Sequence, residues 1–298
     1  MSERVERLFA RLAAGEPPGD DAAAELSATT DILSLGMLAD EARRRRHGAE
    51  TTYVRVADVA LPLGGALTIP PAAREVRVSA DAAALASLLP SLRHVVAASG
   101  AVPVSAFSLA GLQSHARASG TPLLDLLRDI RHAGVASIAE APIDVLDEAE
   151  SALESVREAG LGLARLTVDR PAEPAARLGY IQRAAALQHA LGWLPSFAPL
   201  PRSWSAAPPT TGYEDVRQIA LARLLADNIP SIQVDWSLYG PKLAQVALAF
   251  GADDLDAVPG LDDESEGRRR ATLEEVRRNI QAAALVPVER DGAYGRIG

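Results

Sequence analysis

From Gly48 onward the chain alternates between two hydrophobic periods. Short runs in which apolar and polar residues alternate mark strands with one buried face. They recur at 52–57 (TYVRVA), 75–79 (EVRVS), 102–107 (VPVSAF), 135–139 (VASIA), 162–168 (GLARLTV), 195–199 (PSFAP) and 231–236 (SIQVDW). Segments with helical spacing lie between most of them, at 82–98, 121–133, 144–159, 174–191 and 212–228, with another at 240–250. Gly134, Gly160 and Gly192 stand where helix C-caps are wanted. This alternation predicts parallel βα units and an α/β fold, an incomplete TIM-like barrel of about six to seven parallel strands. One repeat is broken. Between the first and second strands lies only DVALPLGGALTIPPAAR (Asp58–Arg74), whose three prolines and paired glycines predict an irregular segment.

The barrel pattern occupies 49–250, between an N-terminal helical extension (1–48) and a C-terminal tail (251–298). In the extension, Thr30 and Asp31 are capping candidates for a helix that carries the run Arg43–Arg46. Cations at a helix C-terminus are favoured by the dipole, so the run reads as a solvated helix end. In the tail, a polar loop leads to a helix with Thr272 as N-cap and Glu275 three positions on. A short strand at Val286 and Val288 then packs on the barrel.

Composition narrows the picture. Of 298 residues, 48% are hydrophobic, enough for a substantial core. The 39 acidic residues outnumber 30 Lys and Arg, which argues against a surface that tracks nucleic-acid phosphates. There is no cysteine, hence no disulfide, thiolate nucleophile or cysteine-ligated cluster. No run approaches a membrane span and the N-terminus lacks a secretory pattern, so a cytoplasmic protein is expected.

Several blocks carry a resemblance. IALARLLADNIPSIQVDWSLYGPKLAQVALAFGADDLD (Ile219–Asp256) resembles the C-terminal barrel segment of the radical S-adenosylmethionine enzymes of the futalosine route to menaquinone, with aminofutalosine synthase the nearest. LGMLADEARRRRHGAETTYVR (Leu35–Arg55) resembles that family's entry helix and first strand, and VPVERDGAY (Val286–Tyr294) its terminal motif. The stretch Phe107–Gly134 follows at lower similarity.

The departures point one way. The family places a CxxxCxxC loop after its first strand, whose thiolates hold a 4Fe–4S cluster; here Leu61–Arg74 stands instead. The family's glycine-rich turn after the fourth strand aligns with Ile138–Asp144, which offers no bare backbone. Its Tyr-Gly-His turn aligns near Val168–Pro171, and Asp262, Asp263 and Glu264 match its acidic tail patch only loosely. The resemblance therefore implies a degenerate, non-radical member acting as a ligand-binding or partner-binding pseudoenzyme. No cofactor is expected on this reading: no 4Fe–4S cluster, and S-adenosylmethionine binding is put in doubt. The alternative is an active non-radical lyase or hydrolase.

In a barrel, ligand groups sit at the carboxyl ends of strands. Those ends give Ser105, Ser108, Glu140, Asp169, Arg170, Arg202, Asp235 and Trp236. Glu140 and Asp169 are acid–base candidates. Arg170 or Arg202 could pair a carboxylate and Trp236 could stack, for a small anionic aromatic or nucleoside-like ligand. Ordinary loop-mouth polarity accounts for the same ring about as well. Lys242, the only lysine, is an anion-contact candidate beside Pro241. The histidines show no metal spacing and no metal site is expected. Expected partners are a radical enzyme paralogue of the menaquinone pathway or a second copy, with no nucleic acid and no membrane span.

Overall fold

The computed structural model describes residues 3–16, 22–203, 211–261 and 272–297. Its centre is a ring of parallel strands: β1 (Glu50–Ala60), β2 (Glu75–Ser79), β3 (Val104–Ser108), β4 (Ser137–Pro142), β6 (Leu166–Val168), β7 (Ser196–Pro201), β8 (Ser231–Asp235) and β9 (Asp254–Pro259). A two-residue strand β5 (Gly162–Leu163) also pairs with β4, and β10 (Val286–Glu289) pairs with β1. The fold is thus TIM-like α/β, with eight strands in the ring where the sequence pattern showed six to seven.

The ring closes. Thr52 and Tyr53 of β1 pair with Asp254 and Leu255 of β9, and Arg55 and Val56 with Val258 and Pro259. The closing strand DLDAVP falls in the stretch that reads as tail. Its Asp254 and Asp256 look like loop residues in the sequence, but both are buried. Arg77 of β2 meets Asp256, and Arg290, just after β10, meets Asp254.

The helices α4 (Leu85–Ser99), α5 (Leu109–Ser119), α6 (Leu123–His132), α7 (Ala149–Glu158), α8 (Pro174–Leu191), α9 (Gly212–Leu225) and α10 (Trp236–Leu248) fill the crossovers. The crossover from β3 to β4 holds two helices, of which the sequence pattern showed only the second. Thr211 and Glu214 form a capping box at the start of α9. In α10 the backbone breaks at Gly240, so its second part starts at Pro241, where proline's fixed φ suits a first turn. One expectation needs correction: Ala82–Ser99 is long and apolar enough to cross a membrane. Leu85, Leu88, Leu92 and Val95 bury one face of it in the core.

No helix covers the connection between β1 and β2. Leu61 and Ala73 of the irregular segment are buried, and Leu63, Leu67 and Ile69 pack on the core. Two elements from the tail complete this side. Helix α11 (Thr272–Ala282) sends Arg277 to the Tyr53 hydroxyl at 2.9 Å. Strand β10 takes the lower half of β1, Glu50 to Tyr53, while β2 takes its upper half, Val56 to Ala60. Glu289 of β10 accepts from Arg55 Nε at 2.6 Å. The acidic residues Asp262, Asp263 and Glu264 lie outside the described residues.

The N-terminal helices α1 (Glu3–Ala13), α2 (Ala22–Ala28) and α3 (Ile32–His47) pack on the outer ring, chiefly against α9. Asp31 caps α3 through Ser34 N at 3.1 Å. The arginine run is not simply a solvated end: Arg43 is fully buried and grips Asp40 at 2.9 Å. Gly251 joins this layer to the barrel. Its φ is +98°, and a Cβ there would lie 2.9 Å from the Arg223 Cβ and 3.0 Å from that of Ala39.

After β10 the chain turns under the barrel. Arg290 makes a bidentate pair with Asp254 at 2.6 and 2.7 Å and stacks over the Tyr294 ring at 4.2 Å. The Tyr294 hydroxyl donates to Ala164 O at 2.5 Å and accepts from Gln233 Nε2 at 2.8 Å. Removing one partner of a buried ion pair typically costs about 3–5 kcal/mol. Arg290→Leu is therefore expected to lower unfolding stability by about that amount in urea titration. Arg296→Gln, which breaks an exposed pair with Glu50, should stay within about 0.5 kcal/mol of the parent.

Candidate functional site

The barrel interior is filled by charge. Glu75 and Arg77 of β2, two positions apart, share the inward face of their strand. Arg165, which precedes β6, reaches across to Glu75 at 2.9 Å and to Asp256 of β9 at 3.1 Å. Arg77 meets Glu75 at 3.1 Å and Asp256 at 2.7 Å. The four side chains thus form a closed ring of alternating charge, and Ser105 adds a hydrogen bond to Glu75 at 2.6 Å. Burial alone would raise the Glu75 carboxyl, but Arg77 and Arg165 outweigh it and hold the group at about 2. Asp256 is likewise held well below its ordinary range: burial is overcome by Arg165, Arg77 and Arg202.

Above this ring lies the mouth, at the carboxyl ends of the strands. Arg202, just after β7, is gripped by Asp235 at 3.1 Å and Glu140 at 3.3 Å, with Asp256 at 3.9 Å beneath. Asp235 also caps α10 by accepting from Leu238 N at 2.8 Å. Burial raises its carboxyl against the pull of Arg202, and Asp256 adds to the rise. Asp58, exposed at the rim of β1, behaves alike. Desolvation in the concave mouth raises it, Arg77 opposes, and Asp256, Glu75 and Asp235 add to the rise. The mouth is therefore richer in carboxylates than in cations.

The structure brings Glu140, Arg202 and Asp235 together and separates the other candidates. Ser105 lies below them in the ring. Asp169 and Arg170 form a rim pair at 3.5 Å, with Arg170 73% exposed. Their backbone amides are held by the Asp144 carboxylate at 2.7 and 3.0 Å. Ser108 ends β3 and lines a cavity outside the barrel with Asp81 and His115. Trp236 is only 5% exposed, because the first turn of α10 folds its ring into the core, away from any stacking position. Lys242 is exposed on the turn after Pro241, on the helix layer. Asp58, Glu75, Arg77, Arg165 and Asp256 were missed. The signal available was charged residues two apart within strands, which on a barrel strand means a polar inward face.

The closed ring of parallel strands is a TIM-like fold that solved structures share. Methylornithine synthase superposes with a TM-score of 0.67 at 11% identity, over 94% of this chain and 97% of that one. An FeFe-hydrogenase maturase from Carboxydothermus hydrogenoformans gives 0.62 at 13% identity, over 96% and 79%. At such identities these likenesses define the fold.

Kinship comes from sequence. Residues 199–296 match the family model described as the CofH/MqnC C-terminal region. Aminodeoxyfutalosine synthase of Thermus thermophilus is 35% identical over 137 residues, 41% of this chain and 36% of that protein. The Streptomyces coelicolor aminodeoxyfutalosine synthase is 27% identical over 241 residues, 68% of this chain and 62% of that protein. A 5-amino-6-(D-ribitylamino)uracil–L-tyrosine 4-hydroxyphenyl transferase of Archaeoglobus fulgidus is 27% identical over 65% of this chain and 64% of its own length. The chain thus spans less than two thirds of these relatives. Over part of its length it is similar in sequence to the aminodeoxyfutalosine synthases, and it has no cysteine.

The expectation of no cofactor is overturned at this point. These relatives and structural neighbours are radical S-adenosylmethionine enzymes that bind a 4Fe–4S cluster and S-adenosylmethionine, so a lack of cofactors is not a family property. The donor set of this chain nevertheless does not fit the cluster. It has no thiolate to offer, and no group of three or more His, Asp or Glu among the described residues could hold a metal ion. Where the family resemblance puts the cysteine loop, β1 runs on to Ala60 and into the irregular segment.

The sign of the Glu75 shift makes a pH prediction. A carboxyl held at about 2, against an ordinary 4.5, contributes stability that is present above 4.5 and lost as pH falls towards 2. Acid titration of unfolding free energy should show this slope in the parent protein. Glu75→Gln should lack it and be less stable at neutral pH by about 3–5 kcal/mol, because Arg77 and Arg165 lose a buried counter-charge.

Proposed function

We propose that this homologue of aminodeoxyfutalosine synthase serves the futalosine route to menaquinone by binding, not by radical turnover. Its ligand is a small nucleoside-like molecule seated at the barrel mouth. The observation that carries this reading is the pairing of a retained barrel and charged mouth with a chain that has no cysteine. Radical initiation in this family needs thiolates that hold a cluster. The mouth offers acceptors instead. Arg202 is already taken up by Glu140 and Asp235, so an incoming anion would compete with two carboxylates for it. Hydroxyl and amino groups, which a nucleoside presents, complement Glu140, Asp235 and Asp58 directly. Hydrogen bonds to charged groups of this kind are worth about 1.5–3 kcal/mol. Of the two ligand classes suggested by the sequence, the geometry therefore favours the nucleoside-like one over the anionic aromatic one.

Calorimetry with inosine and benzoate separates the readings. Inosine is expected to bind saturably, at least tenfold tighter than benzoate. Glu140→Gln should weaken it about tenfold, equivalent to about 1.4 kcal/mol. Tighter binding of benzoate, lost in Arg202→Gln, would reverse the ligand assignment. No binding of either, with co-purification of a radical paralogue, would move the function to that partner.

The second reading, an active non-radical lyase or hydrolase, is favoured by one observation: the raised carboxyls of Asp58 and Asp235 suit a general acid. Turnover of a nucleoside that disappears in Asp235→Asn and Asp169→Asn, with folding intact, would establish it.

A further inference from the structure

At the end of the barrel opposite the mouth, a cavity of about 270 Å³ opens among the amino-terminal ends of the strands. Ser137 at the start of β4 and Gly162 at the start of β5 line it from the barrel. Trp193 and Pro195 line it from the approach to β7, and Ala293 and Tyr294 from the chain's last turn. None of the described residues that line it is charged.

Its two aromatic walls are held in place by the fold. Tyr294 has φ +66°, a left-handed backbone that residues with a side chain rarely adopt. The turn that imposes it is tied twice, because Asp291 Oδ1 accepts from Ala293 N at 2.9 Å and from Gly295 N at 2.7 Å. Gly292 lets this turn press against the barrel, since a Cβ there would lie 2.9 Å from Glu75 Cγ. The Tyr294 hydroxyl is pinned by Ser196, Gln233 and Ala164 O, and Arg290 covers one face of the ring. Trp193 stands between Gly192, the left-handed C-cap of α8, and Leu194, whose N donates to Gln188 Oε1 at 2.9 Å. Trp193 and Tyr294 are both half-buried, so each keeps surface to offer. The strand ends add little bulk, for Gly162 has no side chain and Ser137 only a hydroxyl. The terminal motif VPVERDGAY thus supplies one wall of this cavity and takes no part in the mouth.

We propose that this cavity is a second binding site, for an uncharged planar aromatic molecule of one or two fused rings. Its volume lies just under the about 300–1,000 Å³ of sites that hold drug-sized ligands. Aromatic walls favour a flat ring by stacking. An ionised ligand would lose its hydration with no counter-charge in the lining to replace it. Arg290, over the Tyr294 ring, is committed to Asp254. The site lies at the other end of the barrel from Glu140, Arg202 and Asp235 and does not depend on what the mouth binds.

The test uses the full chain, with indole as the probe and indole-3-carboxylate as its charged counterpart. Calorimetry should show saturable binding of indole and at least tenfold weaker binding of the carboxylate. Trp193→Leu should weaken indole at least tenfold, and so should Gly162→Val. Gly162 has no left-handed φ, and a Cβ there would make an ordinary 3.4 Å contact with Ser137 Cβ, so the strand accepts the valine that fills the cavity. Urea titration checks that each variant is folded; should one fail, the other decides. Met37→Ser removes an exposed apolar side chain on the N-terminal helix layer and should leave binding unchanged. Absence of saturable indole binding, or binding that survives the cavity variants, would overturn the proposal. Equal weakening in Met37→Ser would also overturn it, by showing adsorption to exposed apolar surface. Binding of the carboxylate as tight as that of indole would overturn the assignment of an uncharged ligand.

Discussion

The alternating ring of Arg77, Glu75, Arg165 and Asp256 is the constraint on which the barrel rests. It ties β2, the approach to β6, and β9 across the interior, where barrels of this class more often pack branched aliphatic side chains. Ions buried in this way carry a desolvation penalty that only near-complete mutual pairing offsets. The pairing holds only if β9 is in register with β1, because a one-residue slip would turn Asp254 and Asp256 outward. Closure of the barrel and neutralisation of its interior are therefore one event.

The same constraint shapes the mouth. Asp256 belongs to the ring below, yet it also faces Arg202 from beneath and raises the carboxyls of Asp58 and Asp235. The chemistry available at the top of the barrel is set by how fully the ring is satisfied. The rim is acidic because the arginines are spent within the structure. On the outer layer, the converse holds at Arg223: one carboxylate, Asp253, serves several donors and one guanidinium nitrogen is left over.

Much of the fold was legible, because amphipathic helices and alternating strands record their buried faces directly. EVRVS read as a strand and is one. The closing strand was not legible, since Asp254 and Asp256 imitate a loop once their partners are unknown. Those partners lie far along the chain: Arg77 and Asp256 are 179 positions apart. Spacing rules cannot register an ion pair at that range. Of the site, Glu140, Arg202 and Asp235 were legible as strand-end charges. Asp58 was hidden in a segment that reads as the start of an irregular loop, because β1 runs further than its apolar pattern. Trp236 misled for a related reason, since the residue that follows a strand end can already belong to the next helix.

Strand β1 is shared lengthwise, its lower half hydrogen-bonded to β10 and its upper half to β2. The Arg55–Glu289 contact that fastens the lower half spans 234 positions. Contacts of such separation form late and slow the search for the native state. During synthesis β1 leaves the ribosome long before β9 or β10 exists, so it spends that interval with an unpaired edge. The N-terminal helices cannot shield it, for they dock on α9, which also emerges later. Much of the ring's near-side framework therefore assembles only after the last strand has been made, and the nascent chain until then is a natural client for chaperones.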